Sequence, residues 1–429
     1  MHSIKNLSVR SAWSWVPSLY LAEGIPYVAV MTLATILYDR MGVSHTDIAF
    51  YTAWLYLPWV VKPLWSPFVD ILRTRRWWIV VMQFIIGAAM AGVAFTIPAS
   101  FFFQATMAFF WLMAFSSATH DIAADGFYML ALSSHDQSFF VGIRSTFYRI
   151  AMIAGQGLLV MLAGSLEVYA DVSVAWSLTF AAMAVLFLAF AAYHKWILPY
   201  PVTDRDSADT HTVNAVWREF VETFISFFRK PGIVVALVFM LTYRFAEAQL
   251  VKIASLFLLD DVASGGLSLT TKQVGFVYGT MGVVALTIGG ILGGMAVARH
   301  GLRRWLWPMA LAITLPNIVY LYMAMAQPAS YVVINLCVAV EQFGYGFGFT
   351  AYMLYMITIS EGRHATAHYA LCTAFMALGM MLPGMLAGWL ADTLGYTRFF
   401  VWIMISCIPV FVILPFLRIP SDFGKKQSE

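Results

Sequence analysis

Ala118-Thr119-His120-Asp121-Ile122-Ala123-Ala124-Asp125-Gly126 sets two carboxylates inside an apolar run that extends over 101–132. A run of that length crosses a bilayer as a helix, and residues four apart on a helix share one face. Asp121 and Asp125 therefore point the same way, one turn apart. An acid at membrane depth is costly and persists where it has a partner or a task. The next apolar run, 138–165, supplies Arg144 and Arg149, which five-residue spacing turns about 140° apart around a helix. If the chain reverses between Ser133 and Gln137, Asp121 and Arg149 both lie ~18 Å from the turn at ~1.5 Å per residue. The spacing predicts Arg149 at depth against the aspartates, Arg144 at the rim, and Lys62 as a further partner for Asp125.

Composition supports a bilayer setting. With 61% hydrophobic and 11% charged residues, the chain carries less than half the roughly 25% charged residues of a soluble globule. Its 15 Trp, 34 Phe and 24 Met suit either lipid contact and a helix-lined cavity or plain core packing. Cys337, Cys372 and Cys407 lie in apolar runs without CxxC spacing, so neither a disulfide frame nor a metal site is expected. No cofactor is expected, and a net charge of +3 gives no reason to expect nucleic acid. The N-terminus is polar for ten residues and its first apolar run continues to full spanning length, unlike a cleavable signal.

Apolar runs of about 20 residues recur twelve times, near 12–38, 47–69, 77–97, 101–132, 138–165, 173–198, 232–258, 272–298, 303–325, 330–359, 365–390 and 397–417. The expected class is an all-α membrane protein with 12 transmembrane helices in two pseudo-symmetric six-helix bundles. The domains are 1–198, a linker over 199–230, and 231–429. Within the linker, Val216-Trp217-Arg218-Glu219-Phe220 begins a pattern that reads as an amphipathic surface helix. Lys and Arg crowd one side, including Lys5, Arg10, Lys195, Lys230 and Arg418, whereas Arg40, Lys272 and Arg398 stand on the other. That bias places both termini and the linker in the cytoplasm of a multi-pass inner-membrane protein.

The halves echo each other. Arg73-Thr74-Arg75-Arg76-Trp77 after the second run matches Arg299-His300-Gly301-Leu302-Arg303-Arg304-Trp305 after the eighth, and Leu21-Ala22-Glu23 matches Phe245-Ala246-Glu247. Repeated six-helix halves put a substrate cavity at their interface and alternate its access by rocking. Gly294, Arg299, Gly301, Arg303 and Arg304 resemble the cytoplasmic-loop motif of the major facilitator superfamily, and Asp70, Arg73, Arg75 and Arg76 form a looser copy. The resemblance implies the facilitator fold and a gating role for these charges.

Further ionisable groups lie within spans. Glu23 adjoins Gly24 and Pro26, which loosen the helix ladder. Arg244 and Glu247 are three apart and can pair along one helix. Lys252 follows them, and Glu341, Gln342 and Tyr345 sit midway along the tenth run. A carboxylate carries protons across a membrane when burial and a nearby cation alternately raise and lower its proton affinity. Asp121, Asp125, Glu23 and Glu247 are the candidates. His120 and Asp125 also reproduce the H-x4-D spacing of some acyltransferases, but five residues apart on one helix they face different directions. Without a nucleophile or phosphate loop, His120 reads as a hydrogen-bonded packing residue and the protein as no enzyme.

Tyr20-Leu21-Ala22-Glu23-Gly24-Ile25-Pro26-Tyr27, Lys62-Pro63-Leu64-Trp65-Ser66-Pro67-Phe68-Val69-Asp70 and Asp121-Ile122-Ala123-Ala124-Asp125 resemble signatures of the AmpG muropeptide permeases and the related acetyl-coenzyme A transporters. Gly142, Tyr148 and Arg149, and Tyr243 through Glu247, continue the likeness over nearly the whole chain. The resemblance implies a monomeric, proton-driven importer of anhydromuropeptides for cell-wall recycling. A coenzyme A thioester or another organic anion is the alternative cargo, and a membrane-embedded sensor or acyltransferase the remote alternative function. A muropeptide offers sugar rings that stack on aromatics, here Trp54, Trp111, Tyr128 and Tyr352. Its carboxylates ask for cations, here Arg149, Arg244, Lys252 and Lys62, with Glu341 and Gln342 as polar contacts.

Overall fold

Apolar segments of this length offer a backbone no partner but itself, so they close as helices. The computed structural model describes residues 12–132, 134–200, 213–361, 365–420 and 423, and among them there is no strand. In chain order the helices are α1 (Val16–Val28), α2 (Ala34–Arg40), α3 (His45–Trp54), α4 (Leu57–Leu72), α5 (Arg75–Thr96), α6 (Phe102–Ala131), α7 (Ser134–Ile153), α8 (Val160–Leu166), α9 (Val172–Ile197) and α10 (Val213–Phe228). There follow α11 (Ile233–Thr242), α12 (Phe245–Leu259), α13 (Thr271–Phe276), α14 (Val283–His300), α15 (Leu302–Thr314), α16 (Ile318–Ala326), α17 (Tyr331–Ser360), α18 (Ala365–Leu394), α19 (Tyr396–Ser406) and α20 (Ile408–Ile413). π-Helical stretches at Ala29–Leu33, Ala154–Leu159 and Val277–Gly282 join α1 to α2, α7 to α8 and α13 to α14 without a break. Pro26, which removes one backbone donor from α1, stands about one turn before the first of them.

Among the described residues, ten helical runs are long and apolar enough to cross a membrane. The other two predicted spans are helical as well. Residues 47–69 fall on α3 and α4, which part at Leu55 and Tyr56, and 101–132 is α6, whose serines, His120 and two aspartates dilute its hydropathy. Local chemistry sets the ends. Ser44 and Thr74 each accept a bond from the backbone three residues on, and Thr270 with Gln273 forms a reciprocal capping box. Gly301 between α14 and α15 takes φ +83, a conformation that Cβ-bearing residues rarely adopt.

The chain packs as two compact units, Met1–Ala34 with Val61–Phe220, and Thr35–Val60 with Val221–Glu429. Thr35–Val60 thus belongs by its contacts to the second unit, where α3 lies along α18. In the first unit Trp15, Leu19, Tyr20, Ile79, Phe127 and Phe140 form a buried core, with Trp15 edge-on to Phe127 at 5.2 Å. Gly24 lets α1 meet α7 closely, since a Cβ there would lie 2.6 Å from that of Ala151. The second unit centres on Phe239, Tyr243, Tyr352 and Tyr355. The predicted amphipathic helix is α10, which buries Phe227 against the ring of Phe375 and leaves Arg218 exposed. Residues 201–212, the rest of the predicted linker, lie outside the described residues, as do Lys5, Arg10, Arg205, Arg363, Lys425 and Lys426.

Candidate functional site

In the first unit α1, α4, α6 and α7 bring Glu23, Lys62, Asp121, Asp125 and Arg144 together. The Lys62 ammonium is ion-paired with Asp121. Arg144 Nη1 lies 3.0 Å from Asp125 Oδ1, and Tyr20 joins both by donating to Asp125 at 3.0 Å and accepting from Arg144 at 3.0 Å. The guanidinium also sits over the rings of Tyr20 and Tyr128, 4.7 and 5.1 Å from their centroids. Glu23 presents its carboxyl to that of Asp121 at hydrogen-bonding reach, while its Oε2 is buried without a protein partner. The Asp121 side chain is 18% exposed and that of Asp125 42%. One acid is therefore shielded while its neighbour a turn away meets solvent space.

Two pairings differ from expectation. Arg144, not Arg149, neutralises an aspartate, and Arg149 is exposed on α7. The estimate of matched depth fixed distance along the helix but not rotation, and the 140° between the arginines decides which one turns inward. Lys62 serves Asp121 rather than Asp125. The pairing predicts that Arg144→Met lowers initial uptake rates at least about 10-fold, equal to about 1.4 kcal/mol, while Arg149→Met stays within about 2-fold. Vesicle uptake assays compare the two, and equal losses would return Arg149 to the cluster.

His120 is buried as a packing residue, as its spacing suggested. Its Nε2 lies 2.9 Å from Gln83 Nε2, Gln83 Oε1 is 2.9 Å from His194 Nδ1, and His194 Nε2 is 2.9 Å from Ser18 Oγ. Since an amide nitrogen only donates, His120 Nε2 accepts. This chain links α6, α5, α9 and α1. Tyr20, Gln83 and His194 were missed in the sequence because each is an ordinary membrane-core residue by itself. Tyr20, three residues before Glu23 on α1, carried the available signal.

In the second unit Arg244 occupies the break between α11 and α12, with φ −109 and ψ 17. Instead of meeting Glu247 at salt-bridge distance, it donates from Nη2 to Tyr345 Oη at 2.6 Å and lies over the rings of Tyr345 and Phe349. Glu247 and Glu341 are both buried, and their charges are near enough to interact. Gln342 donates to Glu341 at 2.9 Å, and Tyr278 and Tyr320, paired at 2.8 Å, adjoin the same acid. Lys252 is 3% exposed and donates to Thr52 Oγ1 at 2.8 Å, with the Tyr56 ring 5.4 Å away.

The aromatic expectations divide. Tyr352 is fully buried, stacks on Tyr243 at 5.2 Å and donates to the Met240 carbonyl, so it is core rather than a stacking surface for a sugar. Tyr128 is 4% exposed and serves as a wall for Arg144. Trp111 stacks on Phe115, which lines a largely apolar groove of 380 Å³ with Trp65, Trp78 and Thr119 and no ionisable group. Trp54 is half-buried on α3.

Among the expected gating charges, Arg76 donates to the carbonyls of Leu198 and Lys195 at the end of α9 and stacks on Tyr200 at 3.8 Å. Arg75 crosses Gly126, where a Cβ would stand 2.6 Å from its Cδ. Arg73, Arg299, Arg303 and Arg304 are exposed. The side chains of Asp70 and Gly142 lie outside the described residues.

A second polar centre, unforeseen, lies where α2, α3, α12 and α18 end or begin. His45 Nδ1 is 3.1 Å from Asp392 Oδ1, and its Nε2 faces Asp39 and Asp260 at 3.6 and 3.5 Å. Burial alone lowers an imidazole's proton affinity, yet the facing carboxylates of Asp260 and Asp39 and the charge of Asp392 outweigh it and raise His45 to about 10. Burial raises Asp260, but bonds from His45 and Tyr396 overcome it and hold this acid below its usual value.

The family model described as Major Facilitator Superfamily matches residues 18–368. The chain belongs to the major facilitator superfamily. This superfamily member is 23% identical over 414 residues to the putative transporter AmpG 4 of Rickettsia conorii, covering 93% of this chain and 95% of the relative. It is 24% identical over 416 residues to the anhydromuropeptide permease of Escherichia coli K12, with 95% and 80% covered. Its fold is similar to the nucleoside transporter NupG, with a TM-score of 0.69, 14% identity and coverage of 93% and 96%. A bacterial homologue of the human lysosomal transporter Spinster gives 0.70 at 14% identity, with 97% of each chain covered. The facilitator chain is thus a multi-pass membrane transporter with small-molecule cargo.

Proposed function

We propose that this transporter imports anhydromuropeptides across the bacterial inner membrane by proton symport, returning cell-wall fragments to the cytoplasm. The observation that supports coupling is a charge count in the first unit. Glu23, Asp121 and Asp125 face two cations, Lys62 and Arg144. Three ionised acids leave the cluster with a net charge of −1 in a poorly solvated place, and one bound proton makes it neutral. Glu23, whose carboxyl meets another carboxyl rather than a cation, is assigned that proton. Similarity to the anhydromuropeptide permease of Escherichia coli supports the cargo.

Recognition is assigned to the second unit, where Arg244 and Lys252 meet the carboxylates of a peptide stem, and Glu341 with Gln342 binds its polar groups. Trp54 and Trp111 are assigned to the sugar rings, Glu247 to a second proton site, and Arg73, Arg75, Arg76, Arg299, Arg303 and Arg304 to gating. The chain works as a monomer of two six-helix bundles with cytoplasmic termini. The decisive assay is uptake into proteoliposomes under an imposed pH gradient, using labelled anhydromuropeptide beside acetyl-coenzyme A. The reading expects muropeptide to accumulate above equilibrium and a protonophore to collapse it. Uptake indifferent to the gradient removes symport, and accumulation of the thioester alone replaces the cargo.

A further inference from the structure

Asp39, His45 and Asp260 stand apart from every group assigned above, each offering one donor atom within 4.8 Å of the others. Their positions are fixed by the backbone. Gly42 and Val43 donate back to the carbonyls of Asp39 and Tyr38, both at 2.9 Å, so the chain reverses and faces Asp39 with His45 six residues later. Asp260 closes α12, and its own carbonyl accepts from Ser268 N at 2.8 Å as the following loop folds back. Asp392 turns the imidazole so that Nε2 addresses both acids.

Two features separate this triad from an ordinary ion pair. The Nε2 distances of 3.5 and 3.6 Å exceed the 2.7–2.9 Å usual for a charge-assisted N–H···O bond. They approach the ~3.4 Å edge of a tetrahedron whose metal–ligand bonds are ~2.0–2.2 Å. Support behind the donors is also of the kind metal ligands use. A carboxylate holds the remote nitrogen of His45, and Tyr396 Oη donates to Asp260 Oδ2 at 2.7 Å. Charge agrees: three carboxylates, Asp39, Asp260 and Asp392, surround the imidazole, and Arg40 lies beside Asp39. The donors are 11–22% exposed, so an ion can enter and yet be largely enclosed.

We propose that Asp39, His45 and Asp260 bind one divalent transition-metal ion, with Asp392 and Tyr396 as supporting groups and the fourth position open to water. One imidazole and two carboxylates suit zinc, which binds such sites more tightly than manganese does. Binding ties α2 and α3 to the end of α12.

Tag-free protein in detergent, stripped with chelator and desalted, is titrated with Zn2+ and with Co2+ as spectroscopic probe. One Zn2+ per chain retained through gel filtration, a higher Tm, and visible tetrahedral Co2+ bands are expected. Asp39→Asn and Asp260→Asn should abolish retention, and Asp392→Asn should weaken it about 10–100-fold. Substoichiometric retention by the native protein overturns the proposal, leaving an imidazolium among aspartates. So does undiminished retention by His45→Gln. If a variant does not fold, the native Co2+ spectrum and stoichiometry decide.

Discussion

Asp121→Asn abolishes pH-gradient-driven uptake in proteoliposomes while the protein still folds and inserts. The change keeps side-chain shape but leaves the part-buried Lys62 ammonium without its anion, and breaking such a pair by removing one partner costs about 3–5 kcal/mol. It also puts an amide that cannot ionise in place of the carboxyl that Glu23 faces, so the two no longer form a pair of acids able to share one proton. Glu23→Gln behaves differently, because a neutral amide imitates the protonated acid. Concentrative uptake is lost there, but exchange of internal for external cargo survives. Measuring both modes for both variants tests the assignment. Concentrative uptake at the native rate in Asp121→Asn would exclude this acid from the coupling step.

Lys252→Met makes the protein more stable and nearly useless at low cargo concentration. A cation 3% exposed with a hydroxyl and a ring for company bears a desolvation cost that one neutral hydrogen bond does not repay. A thioether chain of similar length removes that cost, so thermal unfolding should shift upward. If the ammonium waits for a carboxylate of the cargo, its loss forfeits a charged hydrogen bond of about 1.5–3 kcal/mol, and KM rises roughly 10–100-fold. A fall in Tm with unchanged KM would mean that Lys252 is held by something other than cargo.

Helix identity was legible because apolar length and bilayer thickness leave few choices, and the carboxylates were legible because an acid inside such a run has no ordinary reason to be there. Rotation was harder to read. Spacing along α7 gave two arginines and the wrong one of them, since which face meets α6 depends on packing at Gly24 and Ala151 that no single helix encodes. Tyr352 looked like a sugar platform, but an aromatic in an apolar run has the same appearance whether it lines a cavity or fills a core. The triad of Asp39, His45 and Asp260 left no motif at all. Its members come from two distant segments, each read as loop ends, and only tertiary structure makes them neighbours.

The π-helical stretch at Ala29–Leu33 sets the angle at which α2 continues α1. A π turn holds one residue more than the α turn it replaces, so the helix on one side is rotated by about 100° relative to a regular ladder. Shortening this stretch by one residue would turn α2 by that angle about the helix axis relative to α1, which carries Tyr20 and Glu23. Azimuth on the first helix is thus encoded by a single surplus peptide unit, and a sequence gap of one there carries more consequence than most substitutions nearby.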